Sequence, residues 1–306
     1  MKLRVGIAGS GYAGGIHAAN LRADDRVEIS AIFDVDPARK TVATFEHLLE
    51  QSDAVYITAP NTRHADLACQ SLVAGKHVFC EKPMATTLDD AGRVLNAATA
   101  ASTVFQVGHN RRFTPVYKRL KELLAEHPPH TAHIKMNRGE LLKPVWTADH
   151  SVTGGFLYET PIHMFDMMRF QFGEIASLDA RLSGPDDFSM LVEFASGMHA
   201  TFVTSGDASW FFPYERVEVF GHYSTIETSE IESIAYRLGL DANTRTEDYR
   251  DIPLARRFGF EEEDRLFIDA VLSNNAPPVT AYDGFRSVEL VCACYQSAAE
   301  KSRVRI

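Results

Sequence analysis

The stretch LRVGIAGSGYAGGIHAANL, residues 3–21, decides how the first half of the chain folds. Leu3 to Ala8 is a short apolar run, the pattern of a buried strand. Glycines follow at positions 9, 11 and 14, and behind them a helical pattern carries Ile16, Ala19 and Leu21. A G-x-G-x-x-G string alone is weak evidence, but between a strand and a helix it has the context a dinucleotide requires. Each glycine has its own reason: Gly9 for the tight turn, Gly11 for close approach of the backbone to a pyrophosphate, Gly14 for helix–strand packing. Tyr12 and Ala13 complete the turn. The free N–H groups and positive end of the helix then face the phosphates.

Working outward, a second apolar run, VEISAIFD, ends at Asp34, 20 residues beyond Gly14. A carboxylate there accepts from the adenosine ribose hydroxyls and repels a 2′-phosphate, so NAD is favoured. Arg39 and Lys40 lie close enough to leave NADP possible. The following strand starts near Asp53, too soon for an ordinary crossover helix. The segment between is expected to hold a strand at Thr41–Ala43 and a helix near Phe45–Gln51, with one helix reduced to a turn. Next come a helix, Arg63 to Ala74, ended by Gly75, a strand, His77 to Glu81, and another strand, Val104 to Gly108. Apolar strands alternating with helices predict a doubly wound parallel sheet.

The bulk numbers agree with an ordinary globular chain. It has 306 residues, 45% hydrophobic and 24% charged, enough for two domains. A net charge of −10 argues against a nucleic-acid partner. No run reaches the length of a membrane span, and the first strand starts too early to leave room for a signal peptide. Cys69, Cys80, Cys292 and Cys294 have neither metal nor disulfide-framework spacing, which points to reduced thiols in a cytoplasm and to no metal.

Several segments together resemble the glucose–fructose oxidoreductase / inositol dehydrogenase (Gfo/Idh/MocA) family. They are GIAGSGYAGGIHAANL, ITAPNTRHADLACQSLVAGKHVFCEKPMA, VGHNRRFTPVY, GGFLYETPIHMFD and DGFRSVELVCACYQSA, in the family's order. The resemblance implies an N-terminal Rossmann domain, here 1–117, and a C-terminal α/β domain with an open, mostly antiparallel sheet, 118–306. It implies reversible oxidation of a secondary hydroxyl on a sugar, cyclitol or related polyol by NAD(P). It makes Lys82 and His163 catalytic and places Ala59, Pro60, Asn61, His64, Glu81 and Lys82 along the dinucleotide. Asn110 and Arg111 would border the substrate, with Trp146 in a loop that also offers contacts. The chain departs from the family twice, in the short segment after Asp34 and in Glu159, where Asp is usual as the third catalytic residue.

The residues themselves support such chemistry. In GGFLYETPIHMFDMMRF, residues 154–170, Thr160 is placed to cap a helix and Pro161 suits its first position. His163 then falls in the first turn, where the positive helix end favours a neutral ring able to accept a proton. Asp166 shares its face and could fix the tautomer or simply brace the core. Lys82 could stabilise charge developing on the substrate oxygen. Lys82, held extended before Pro83 at the carboxyl end of a parallel strand, occupies the edge where such sheets bind ligands.

After a hinge near Tyr117 the pattern turns to alternating strands, with Ala195–Ser196–Gly197 as a hairpin turn. An exposed sheet face around VEFASGMHATFV predicts a homodimer or homotetramer. Competing functions are a non-catalytic dinucleotide-sensing regulator, as the galactose-pathway co-repressor resembles this fold, and an NAD-using glycosidase or an imine reductase.

Overall fold

The computed structural model describes residues 2–137, 149–208 and 213–306. It divides into two compact units. The first comprises Met1–His109, Ser151–Gly154 and Phe260–Val288; the second comprises Asn110–His150, Gly155–Gly259 and Glu289–Ile306. The chain therefore first changes unit at Asn110 rather than at Tyr117, and a late helical segment returns to the first unit. Sequence reading placed a single boundary because it cannot see a return.

The first unit is a five-stranded parallel sheet in the order β2-β1-β3-β4-β5. The strands are β1 (Leu3–Ala8), β2 (Val27–Phe33), β3 (Ala54–Ile57), β4 (His77–Glu81) and β5 (Phe105–Gly108). Helices α1 (Tyr12–Ala23), α2 (Phe45–Gln51), α3 (His64–Val73) and α4 (Leu88–Ala100) connect them. Central strands are apolar throughout because both faces are covered; Val5, Ile7, Val55 and Phe79 are fully buried. The α3 helix stops as the sequence suggests. Gly75 takes φ +70°, and Gly75 and Lys76 donate to the Leu72 and Ser71 carbonyls, a Schellman ending. On α1 the buried residues are Gly14, His17, Ala18 and Leu21, not the expected Ile16 and Ala19. Leu21 faces inward as expected, and small Gly14 and Ala18 let the helix approach the sheet.

The expected strand at Thr41–Ala43 does not form. Instead the Thr41 and Val42 amides donate to the Ile32 carbonyl, and the Ile32 amide donates to Thr41 Oγ1. One turn thus satisfies part of the open edge of β2, which blunts it against stray pairing. Thr44 then caps α2 by accepting from His47 N.

Helix α10 (Phe260–Ser273) completes this unit's core. Phe79 stacks on Tyr56 with centroids 4.6 Å apart, and Phe267 meets both edge-on at 5.7 and 5.4 Å. Such pairs add stability beyond area alone.

The second unit carries a nine-stranded sheet, β13-β12-β11-β10-β6-β9-β8-β7-β14. Its strands are β6 (Pro129–Met136), β7 (Ile175–Leu182), β8 (Asp187–Phe194), β9 (His199–Ser205), β10 (Glu215–Gly221), β11 (Ser224–Ser229), β12 (Ser233–Leu238), β13 (Arg245–Asp248) and β14 (Val304–Arg305). All neighbours run antiparallel except β6 and β9. The hairpin turn forms as read, with Gly197 at φ +86°. Alternation along β8 and β9 buries Phe188, Met190, Val192, Phe194, Ala200 and Phe202 on one face. Helices α5 (Pro115–Glu126) and α8 (Ile162–Phe172) cover part of that face, Phe165 meeting Phe202 edge-on at 5.6 Å. The opposite face leaves Leu191, Val203 and Phe220 exposed.

Candidate active site

The loop between β1 and α1 is built from backbone. Gly9 has φ +96°, and a Cβ there would lie 2.7 Å from the Ala59 amide nitrogen. A Cβ on Gly14 would sit 2.2 Å from the Gly9 carbonyl oxygen. Gly11 is different: a Cβ there would meet nothing within 4 Å. Gly11 caps α1 without any side-chain bond, and the first turn holds no acidic residue. Tyr12 is exposed and Ala13 half-buried. Uncapped amides behind an open glycine fit the pyrophosphate of a dinucleotide.

Asp34 lies beside this loop. One of its oxygens accepts from the Ser10 amide at 2.7 Å and the Ser10 hydroxyl at 3.1 Å, the other from the Asp36 amide at 2.8 Å. Burial opposes ionisation, but these bonds and Arg39 outweigh it and hold the carboxyl below its ordinary range. A fixed carboxylate thus stands at the end of β2, as the spacing predicts.

The residues after β3 shape the loop more than they line it. Pro60 precedes a single turn, Asn61–Arg63. Asn61 donates to the Thr153 carbonyl at 3.0 Å. The His64 ring is buried, with its nitrogens 2.7 Å from the Pro83 carbonyl oxygen and 2.6 Å from that of Ala59. Burial pushes its pKa down, the two carbonyls opposing. A neutral ring donates to one of these carbonyls and packs against the other.

Glu81 is tied into its own unit. Its Oε2 accepts from the Lys82 amide at 3.0 Å, and its Oε1 lies 3.0 Å from His17 Nε2. It supports Lys82 from within. His17 is fully buried, and its Nδ1 lies 2.7 Å from Asp264 Oδ1. Asn20 donates to the other Asp264 oxygen at 2.8 Å. Burial disfavours a charged ring, but Asp264 and Glu81 outweigh it and raise the His17 pKa well above the ordinary range. Sequence reading missed His17 and Asp264. A histidine at the third position after Gly14, on the inward face of α1, was the available signal; its partner 247 residues away was not.

In the second unit, Gly155 takes φ +122°, and the Tyr295 hydroxyl lies 2.5 Å from where its Cβ would be. That hydroxyl accepts from the Leu157 amide at 3.1 Å, setting the short helix α7 (Phe156–Glu159). Glu159 ends α7 and is buried. Helix α8 follows with Pro161, not Thr160, at its cap position, and Thr160 before it is helical in conformation. The His163 amide donates to the Thr160 carbonyl, so His163 still lies in the first turn.

Asp166 does not orient His163. Its two oxygens accept from Arg112 Nε at 2.8 Å and Nη2 at 2.6 Å. A full cation in bidentate geometry occupies both carboxylate oxygens. Arg111 is likewise braced within its unit. Its Nε donates to Glu215 at 3.0 and 3.2 Å, Tyr117 donates to the same carboxylate at 2.7 Å, and the guanidinium lies over Phe258. Asn110 keeps its candidacy: it is buried, and its amide oxygen has no hydrogen-bond partner among the described residues. Trp146 lies outside the described residues, as does the loop expected from Lys143 to His150 except for its last two residues. The structure thus places Lys82 and the dinucleotide loop in one unit, and Glu159, His163 and Asp166 in the other.

A glycine-opened helix end and a fixed carboxylate after β2 fit a dinucleotide-binding oxidoreductase. The chain belongs to the Gfo/Idh/MocA oxidoreductase family: the profile of its NAD-binding Rossmann fold matches residues 3–109 and that of its C-terminal alpha/beta domain matches residues 121–306. It is 29% identical over 330 residues to a myo-inositol 2-dehydrogenase of Thermotoga maritima, covering 99% of this chain and 98% of that one. It is 25% identical to an inositol 2-dehydrogenase of Rhizobium meliloti over the full length of both. The solved structure of a levoglucosan dehydrogenase in complex with NADH has a TM-score of 0.90 at 21% identity, covering 100% of this chain and 99% of that one, which shows the shared fold. No helix among the described residues is long and apolar enough to cross a membrane.

Proposed function

We propose that this oxidoreductase transfers a hydride reversibly between NAD and a secondary hydroxyl or ketone of a cyclitol, sugar or related polyol. The observation that carries the reading is Lys82, fixed through its own amide by Glu81 just beyond β4, in a chain that also keeps His163 in the first turn of α8. Inositol dehydrogenases among the full-length relatives point to the substrate class.

His163 takes the hydroxyl proton as the carbinol is oxidised and returns it in the reverse direction. Lys82 donates a hydrogen bond to the same oxygen and stabilises its developing negative charge. Glu159 stands as the third member of the set, one methylene longer than the usual Asp. Asn110 offers its buried amide oxygen to a substrate hydroxyl. NAD bound at the glycine loop supplies the hydride acceptor. Asp34 selects NAD over NADP, since a fixed carboxylate repels a 2′-phosphate. The exposed sheet face bearing Leu191, Val203 and Phe220 supports a homodimer or homotetramer, and the free cysteines suit a reducing cytoplasm.

The test is cofactor reduction against inositols, aldoses, sugar acids and polyols, with NAD and NADP in parallel. Turnover of one member with NAD supports the reading. Tight NADH binding without turnover on any member would favour the non-catalytic sensor, for which the Glu159 replacement is the one favouring observation.

A further inference from the structure

The first unit contains a buried charged cluster that the proposed chemistry does not use directly. His17 from α1 lies between Glu81, the last residue of β4, and Asp264 of α10. The ligand atoms of His17, Glu81 and Glu263 all fall within 4.8 Å of one another. His17, Glu263 and Asp264 are at most 3% exposed, and Glu81 is 7% exposed. Carboxylates so close and so far from water need a positive charge among them. Either a proton on His17 or a bound cation could supply it.

Geometry and charge together favour the proton. Both His17 nitrogens lie at hydrogen-bond length from a carboxylate oxygen, 2.7 Å on one side and 3.0 Å on the other. With anionic acceptors on both sides, an imidazolium donates from both nitrogens. A metal bound to the ring would replace the proton of the nitrogen it binds, and that nitrogen could no longer donate to a carboxylate.

The orientation of Glu81 gives this cluster its consequence. The oxygen that His17 does not hold accepts from the Lys82 amide. The line Asp264–His17–Glu81–Lys82 is therefore continuous, and each link is a charged group or a hydrogen bond to one. The ring is also packed edge-on against Phe79 at 4.9 Å and Phe260 at 5.7 Å, with Tyr56 tilted at 5.4 Å, so it has little room to turn.

We propose that His17 is a positioning residue: as a buried imidazolium held by Asp264, it clamps Glu81 and through Glu81 fixes the backbone from which the Lys82 side chain extends. This ties the dinucleotide helix, the β4 terminus and α10 to the reactive lysine. The inference rests on the reading of Lys82 as catalytic, and its test separates the two.

The experiment uses the full chain as wild type, His17→Gln, Asp264→Asn, Glu81→Gln and the double variant His17→Gln/Glu81→Gln. Asp264→Asn keeps the shape of α10 if the His17 replacement fails to fold. The first readout needs no substrate. Competitive acetylation measures labelling of Lys82 against the exposed Lys2 and Lys301 in the same sample, and Lys82 labelling is expected to rise at least threefold when the clamp is cut. The second readout is kcat and KM on whichever polyol the wild type turns over. Here kcat is expected to fall about 10- to 100-fold, the range that misplacements of about 1 Å produce, with the NADH Kd unchanged. The double variant should lose no more than Glu81→Gln alone, because His17 acts through Glu81.

Unchanged labelling of Lys82 in all three single variants overturns the clamp. So does additive loss in the double variant, or a stoichiometric divalent cation in the purified wild type. Absence of wild-type turnover on the whole panel overturns the functional reading instead, and the labelling result still decides the clamp.

Discussion

Arg112 and Asp166 form a bidentate pair in the second unit, Nε and Nη2 donating to the two carboxylate oxygens at 2.8 and 2.6 Å. Their side chains are only 10% and 1% exposed, and Arg112 also lies over the Phe170 ring. Removing Asp166 takes its opposite charge away from a mostly buried guanidinium. Asp166→Ala is therefore expected to lower the stability of the protein by about 3–5 kcal/mol. Urea denaturation measures this. If Asp166→Ala kept its denaturation midpoint and lost only kcat, the carboxylate would be serving His163 after all.

The carboxylate of Asp34 is held ionised beside the glycine loop. Replacing it by Ala is expected to narrow the preference for NAD over NADP by about tenfold, or roughly 1.4 kcal/mol. Parallel fluorescence titrations with NADH and NADPH check it. A wild type that binds NADPH more tightly than NADH contradicts the assignment outright.

Gly14 has no room for a side chain, with the Gly9 carbonyl oxygen 2.2 Å from an added Cβ. Gly14→Ala is expected to destabilise by about 1–3 kcal/mol, the usual range for overpacking, and to weaken NADH binding as the loop shifts. Gly11→Ala meets open space and should keep stability while weakening NADH. A Gly11→Ala protein with wild-type NADH affinity would remove the pyrophosphate from that position.

The pH dependence of stability follows from the His17 cluster. Its folded-state pKa is raised well above the ordinary value, Asp264 and Glu81 outweighing burial. The stability it contributes is complete below about pH 6.5, the unfolded value, and is lost as pH rises through the folded value. Glu81 has a lowered pKa, its bond to His17 outweighing burial, so its contribution is present above about pH 4.3 and lost as pH falls through the folded value. Glu263, Tyr56 and Lys82 also face or adjoin the cluster. The stability difference between wild type and His17→Gln is thus expected to shrink on the alkaline side. Denaturation midpoints of both proteins from neutral to alkaline pH test it; a difference that stays constant would mean the ring is neutral throughout.

Local features were the legible ones. The strand–glycine–helix order of residues 3–21, the Gly75 helix ending and the period-2 alternation of β8 and β9 depend on neighbours in sequence, and the structure keeps them. Asp166 shows where such reading stops. Its spacing to His163 suggests a bond along the helix, but Arg112 arrives from 54 residues away and offers a full charge. The Asp264 partner of His17 comes from farther still. Thr41 shows a third case: the residues read as a strand satisfy the edge of β2 through a turn. Edge satisfaction needs only hydrogen bonds at one position, not a repeating pattern. The return of α10 to the first unit leaves no local trace, since its apolar stripe would suit either unit.

The central claim is that Lys82 and His163 perform hydride-linked oxidation of a polyol hydroxyl. The most direct measurement is NADH formation from myo-inositol and its relatives by wild type, Lys82→Ala and His163→Ala, with NADH Kd measured on each. The account predicts wild-type turnover and a fall in kcat of about 10²-fold or more in each variant, with NADH affinity nearly intact. Wild-type kcat in either variant would take that residue out of the chemistry, and NADH binding without turnover by the wild type would contradict the dehydrogenase itself.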